Sequence, residues 1–102
     1  MSIKAVPSNT GKELRIEVSG RFDFNSLLSF RKAYEREDII PGKYVIDLKG
    51  TDYLDSSALG MLLALRDYAL QKNAQIEIAN CNEDVLRILQ VTKLDELFRI
   101  TL

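Results

Sequence analysis

Three segments of the chain carry the apolar pattern of β-strands. Residues 14–18 and 75–79 alternate apolar with polar side chains, as strands with one buried face do. Residues 44–48 are nearly continuous in apolar character, which is typical of a central strand covered on at least one face. Residues 4–7 and 98–102 are predicted as short strands near the two ends of the chain.

Between these strands, apolar residues recur at helical spacing. The first predicted helix covers residues 25–37, and either Asp23 or Asn25 could cap it. The second begins at Ser56 or Ser57 and ends near residue 72, with a stripe of small and large apolar side chains.

A third helix is predicted over residues 83–90 with Asn82 as its cap, and residues 94–97 add a further helical turn. The remaining glycine-rich or polar segments, at residues 8–11, 20–23, 41–42 and 50–55, are predicted as turns and loops.

The predicted order of elements is β-β-α-β-α-β-α-β. Strands that alternate with helices need crossover connections, and these produce a mainly parallel sheet. The first hairpin places one edge strand antiparallel, and the alternation in the outer strands leaves one sheet face poorly covered. We therefore expect a single domain over residues 1–102 with a two-layer α/β fold. Its sheet is mixed, mainly parallel and four- to five-stranded, and three main helices pack on one face.

Composition and charge restrict the partners. The 102 residues are 46% apolar and 28% charged, as in an ordinary globular domain. Fourteen basic and fifteen acidic residues give a net charge of −1, which disfavours nucleic acid and anionic membrane as main partners. No segment approaches the roughly 18 apolar residues of a membrane span, and the first residues lack the apolar stretch of a signal peptide. A cytoplasmic location is the expectation.

Missing residue types restrict the chemistry. The sequence has no histidine, which excludes Ser-His-Asp and Cys-His catalysis and His-ligated metals. A single cysteine, Cys81, cannot form an internal disulfide or a Cys-rich zinc site. Ser56 also lacks a lysine three residues later, because Leu59 stands there. We expect neither an enzyme nor a bound metal or cofactor.

The most informative segment is residues 47–60, DLKGTDYLDSSALG. A buried strand ends there, and a pair of hydroxyls stands at the start of an apolar helix, at the sheet edge where α/β folds usually keep their sites. A serine in that position is either a plain helix N-cap or a functional group. Gly60 lies inside the helix, where glycine costs about 1 kcal/mol relative to alanine. It is useful there only if something must approach the backbone closely.

Residues 55–60, DSSALG, preceded by residues 45–48, VIDL, resemble the central motif of STAS domains, the sulphate-transporter and anti-sigma-antagonist family. Residues 20–23, GRFD, resemble the family's Gly-x-hydrophobic-Asp signature before its first helix. Ala58 stands where the family often has glycine. Several members continue into a further helix beyond the position of Leu102.

The resemblance implies a function. In stand-alone bacterial members the serine directly after the aspartate, which is Ser56 here, is phosphorylated by a partner kinase. Such a protein captures an anti-sigma factor or related regulator while unphosphorylated. A serine kinase ends that state and a phosphatase restores it, in pathways that often control stress response, sporulation, motility or biofilm formation. The chain is then a monomeric substrate of catalysis rather than the catalyst.

Five further residues are expected to contact the partner around the phosphorylation site: Asp23, Tyr53, Asp55, Ser57 and Met61. Asp23 is expected to be a helix cap first, whereas Asp55 either caps or orients the neighbouring hydroxyl. The alternative is a constitutive binding or scaffold module of the same fold, in which Ser56 is only a helix cap.

Overall fold

The chain forms one sheet in which each strand lies beside the next strand in the sequence. A computed structural model describes residues 2–102. Its elements are β1 Ser2–Pro7, β2 Glu13–Phe22, α1 Leu27–Tyr34, β3 Lys43–Leu54, α2 Ser56–Gln71, β4 Gln75–Ala79, α3 Glu83–Val91 and β5 Arg99–Thr101. Single 3₁₀ turns at Phe24–Ser26 and Leu94–Glu96 precede α1 and β5.

The strand order is β1-β2-β3-β4-β5. β1 pairs antiparallel with β2, and every later pair is parallel. Parallel neighbours are joined by right-handed crossovers, and here each crossover steps in the same direction across the sheet. The three helices therefore pack on one face. The predicted two-layer α/β fold with a mixed, mainly parallel sheet and three helices is confirmed, with five strands.

The core lies between the helices and one face of the sheet. Central strand residues such as Ile16 and Ile46 are fully buried there. The predicted stripe of α2 is also buried, and it consists of Ala58, Leu62, Leu65 and Ala69. Leu70, near the end of the same helix, is about half exposed. The opposite sheet face carries ion pairs instead of helices, such as Arg15 with Asp47.

Strands β2 and β3 are longer than the sequence predicted. Residues 20–23 and 50–55 were expected to be loops, but Phe22 still pairs with Leu54 at the end of the two strands. Register shifts interrupt this part of the ladder. A Cβ added to Gly50 would lie 2.7 Å from Ser19 Oγ, so this glycine marks a close approach of two strands rather than a loop.

Helix α1 is shorter than the predicted residues 25–37. Asp23, not Asn25, caps the 3₁₀ turn that precedes α1: its Oδ1 accepts a hydrogen bond from Asn25 N–H at 3.0 Å, whereas α1 itself begins without a side-chain cap. Ser26 Oγ accepts one from Asp23 N–H at 3.3 Å, which completes a reciprocal capping box around the 3₁₀ turn. The helix ends at Tyr34 because the backbone of Glu35 leaves the helical region, with ψ at 74°.

Candidate functional site

Two aspartates stand side by side where neighbouring strands end and helices begin. Phe22 and Leu54 are paired in the ladder, so Asp23 and Asp55 follow directly at the carboxyl edge of the sheet. The N–H of Asp55 donates to the carbonyl of Phe22 at 3.4 Å, which holds the two chain segments together. The strand pairing thus brings the two motifs of the sequence, GRFD and DSSALG, to one corner.

Asp55 is the N-cap of α2. Its Oδ1 accepts a hydrogen bond from Ala58 N–H at 2.9 Å, and its carbonyl accepts one from Leu59 N–H at 3.2 Å. Ser56 is the first helical residue and is exposed. Within residues 2–102 its hydroxyl has no hydrogen-bond partner. The alternative in which Ser56 is the helix cap is therefore wrong, because the extended backbone of Asp55 lets its carboxylate take that place.

The start of α2 also offers free backbone donors. The carboxylate of Asp55 satisfies Ala58 N–H, but the N–H groups of Ser56 and Ser57 have no acceptor within the described part of the chain. These groups carry the positive end of the helix macrodipole. A phosphate attached to the Ser56 oxygen would find both the free donors and the favourable potential.

Beside this corner, the ends of β2 and β3 carry an aromatic and charged cluster. The guanidinium carbon of Arg21 lies 4.2 Å from the ring centroid of Tyr53, and Arg21 Nε lies 3.7 Å from Asp23 Oδ2. Tyr53 is 41% exposed. Asp23 therefore both caps the 3₁₀ turn and pairs with Arg21, and the Tyr53 side chain is accessible.

Ser57 and Met61 face a groove between α1 and α2, which we call the α1–α2 groove. Its volume is about 610 Å³, and its lining includes Phe24, Leu27, Ser57, Gly60, Met61 and Ala64. Met61 is only 5% exposed, so it forms the floor of the groove rather than a projecting contact.

The sequence did not indicate Phe24, which is 67% exposed on the rim of the α1–α2 groove. The sequence feature that could have indicated Phe24 is its position: a large aromatic residue directly after the capping Asp23 and outside the apolar stripe of the following helix.

Two other ionisable groups, Asp47 and Cys81, have surroundings that indicate a structural role. Asp47 is buried on the open sheet face and accepts hydrogen bonds from Lys49 N–H at 3.0 Å, Asn80 Nδ2 at 3.2 Å and Arg15 Nη1 at 2.8 Å. Burial alone would raise the pKa of Asp47, but these bonds outweigh it and the pKa is lowered. Burial raises the pKa of the Cys81 thiol, which disfavours the reactive thiolate.

The structure of residues 2–102 adds two general findings. No group of three or more Cys, Asp or Glu side chains in this range is arranged to hold a metal ion. None of the helices in the same range has both the length and the apolar character needed to cross a bilayer.

Comparison with known proteins identifies the family. The family model described as "Mlab, STAS domain" matches residues 6–100. The chain therefore belongs to the STAS domain family, and the resemblance seen in the DSSALG motif is confirmed. A STAS-domain containing protein of Pseudomonas aeruginosa is 54% identical over 101 residues, which cover 99% of this chain and 100% of that protein.

Solved structures agree on the fold. An anti-sigma factor antagonist from Mycobacterium paratuberculosis superimposes with a TM-score of 0.79 at 22% identity, covering 98% of this chain and 86% of that one. The Bacillus cell fate determinant SpoIIAA in its phosphorylated form superimposes with a TM-score of 0.74 at 13% identity, covering 97% and 90%.

Proposed function

We propose that this STAS protein is a phospho-regulated binding protein of a partner-switching pathway. It binds a target regulator, an anti-sigma factor or a related protein, through the corner around Ser56 while that serine is unphosphorylated. One observation carries the proposal: the Ser56 hydroxyl is exposed and free at the positive end of α2, because Asp55 does the capping. Modification of Ser56 therefore removes no hydrogen bond on which the helix depends.

The family supports the choice of partners. The solved structures named above include an anti-sigma factor antagonist and the Bacillus cell fate determinant SpoIIAA in its phosphorylated form. The partners proposed for this chain are accordingly a serine kinase of the anti-sigma type and a phosphatase. The chain itself is their substrate and performs no catalysis.

Electrostatics explains how the switch would work. A phosphate on Ser56 adds a charge of about −1.5 to −2 beside the carboxylates of Asp55 and Asp23. The free N–H groups of Ser56 and Ser57 stabilise it, so the carrier stays folded. A regulator docked over this corner must instead bury a charge that it does not compensate. That costs about 1–3 kcal/mol or more, which is one to two decades in affinity.

The experiment compares phosphate at two matched serines. Phosphoserine is incorporated during translation at position 56, and in a control protein at Ser29, an exposed serine in the first turn of α1. The regulator is the protein that unphosphorylated wild type retains from a lysate of its source organism, identified by mass spectrometry and then purified. Calorimetric titration of this purified regulator measures its affinity for each form.

We expect phosphate at Ser56 to weaken binding at least tenfold, whereas phosphate at Ser29 leaves the affinity within about threefold of wild type. Ser56→Ala loses only a hydroxyl and should bind like wild type. Equal affinity of the regulator for the Ser56-phosphorylated and unphosphorylated forms would instead establish a constitutive binding module.

A further inference from the structure

Gly60 has no structural purpose within the chain itself. It lies in α2 with an ordinary helical backbone. Apart from its chain neighbours and the backbone of its own helix, no heavy atom lies within 4 Å of the place where a Cβ would stand. Glycine destabilises a helix relative to alanine, so this chain in isolation would be more stable with a side chain at this position. The absence of a side chain at Gly60 is therefore useful only if another molecule packs against α2.

The groove beside Gly60 is long enough to hold about four turns of a helix. The α2 wall of the α1–α2 groove extends from Ser57 to Gln71, a length of about 21 Å at 1.5 Å per residue. Near its start this wall consists of the small residues Ser57, Gly60 and Ala64, which let another backbone approach closely. The exposed ring of Phe24 stands on the opposite rim.

The two ends of the groove differ in charge. The end beside Ser56 has the positive pole of α2 and its free N–H groups. The two carboxylates at this end are already engaged, because Asp55 accepts from Ala58 N–H and Asp23 pairs with Arg21. The other end carries Glu35 and Asp67. Glu35 is paired with Arg31, whose Nη2 lies 3.4 Å from Glu35 Oε2. The Asp67 side chain is 72% exposed, and its Oδ1 lies 3.9 Å from Arg66 Nη1. A helix that runs antiparallel to α2 would place its positive N-terminus by Asp67 and its negative C-terminus by Ser56.

We propose that the α1–α2 groove binds an amphipathic helix of the target regulator, antiparallel to α2, with its apolar stripe over Gly60 and Ala64 and against Phe24. This inference rests on the proposed function, because the occupant is the same regulator. It also explains the release step. A phosphate on Ser56 would face the C-terminal carbonyl groups of the docked helix, so that negative charge meets negative charge.

Substitution of Gly60 separates stability from binding. Gly60→Ala should raise the Tm by a few degrees, because the new Cβ meets nothing and favours the helix. Gly60→Leu should weaken binding of the purified regulator at least tenfold while the variant remains folded by circular dichroism. Ser29→Leu, which adds a similar bulk to an exposed position of α1 outside the groove, should leave the affinity within twofold of wild type.

Labelled peptides test the orientation of the helix. Overlapping synthetic 20-residue peptides spanning the regulator are titrated into ¹⁵N-labelled protein, and the binding peptide is remade with a nitroxide at either end. We expect the C-terminal label to broaden amide signals of Ser56–Gly60 and the N-terminal label those of Asp67–Gln71. The reverse pattern would overturn the antiparallel arrangement. Absence of any binding peptide, or signals that shift outside the groove, would overturn the groove as the docking site.

The two proposals fail in different ways. If phosphate on Ser56 weakens regulator binding but Gly60→Leu does not, the groove is wrong and the switch stands. If Gly60→Leu weakens binding but phosphate does not, the switch is wrong and so is the release step that depends on it.

Discussion

At the start of α2, two neighbouring residues of similar capping ability have different roles. Asp55 accepts the bond from Ala58 N–H, and Ser56 makes none among the described residues. Asp55→Ala should therefore lower the free energy of unfolding by about 1 kcal/mol, within the range of roughly 0.5–2 kcal/mol for lost caps. Ser56→Ala should change it by less than about 0.5 kcal/mol. Urea denaturation measures both, and equal losses would mean that Ser56 shares the capping.

The kinase should distinguish the two serines of the motif. Ser56 is exposed, whereas Ser57 is half-buried against the α1–α2 groove and points about 100° away around the helix axis. We expect the cognate kinase with ATP to place phosphate on Ser56, as read by peptide mapping in a mass spectrometer. Ser56→Ala should abolish the signal and Ser57→Ala should retain it. Phosphate found on Ser57 alone would contradict this assignment.

Asp47 should make stability depend on pH. Its folded-state pKa is lowered, so its contribution is present above the ordinary carboxyl pKa of about 3.9 and is lost as the pH falls through the folded value. Asp47→Asn should cost about 1–3 kcal/mol at pH 7, because it weakens the bond to Arg15 and disturbs that to Lys49 N–H. The gap to wild type should narrow at pH 3 in urea titrations. A gap that does not change with pH would argue against a charged Asp47.

At the scale of elements, one buried threonine connects the irregular β2–β3 pairing to α3. Thr51 Oγ1 donates to the carbonyl of Val18 at 2.7 Å, beside the register shift. The carbonyl of Thr51 accepts a bond from Asn82 Nδ2 at 3.2 Å, and Asn82 Oδ1 caps α3 by accepting from Val85 N–H at 2.8 Å. The strand irregularity and the start of α3 are thus fixed together.

Removal of that hydroxyl isolates its contribution. Thr51→Val keeps the shape of the side chain but leaves the buried Val18 carbonyl without its partner, which should lower the free energy of unfolding by about 1–3 kcal/mol. Thr51→Ser keeps the hydroxyl and should lose less. Chemical denaturation of both variants compares them, and a Thr51→Val protein as stable as Thr51→Ser would show that the bond contributes nothing.

The features that the sequence predicts well are those that depend only on residues within one helix or strand. The apolar stripe of α2 and the alternation at residues 75–79 are local patterns, and both elements were predicted nearly to their bounds. The extensions of β2 and β3 were missed because they depend on pairing between strands that are distant in the sequence. The choice of Asp55 over Ser56 as cap depends on backbone geometry, and the exposure of Phe24 on a groove depends on the packing of two helices.

At the scale of the whole molecule, the sheet face without helices carries charged side chains that form ion pairs. Glu77 Oε1 lies 3.6 Å from Lys43 Nζ and 3.8 Å from Arg99 Nε. Val45, which pairs with Glu77 in the sheet, is buried. The edge strand β1 carries Lys4 and Pro7, which discourage pairing with another copy. We expect a monomer at micromolar concentration, with the mass of one chain by sedimentation and a radius of gyration near the 12.4 Å of the Cα trace by scattering. A mass of two chains would contradict this.

The strand order also determines how the chain can fold during synthesis. Each parallel strand pairs with the strand made just before it, so no strand pair waits for more than one crossover helix to be synthesised. A nascent chain can therefore add one helix and one strand at a time, beginning from the β1–β2 hairpin. The corner that holds Ser56 is built from β2, β3 and the start of α2. Its strands and the start of α2 are therefore synthesised before β4, α3 and β5, and these later elements complete the domain beside a site whose backbone has already been made.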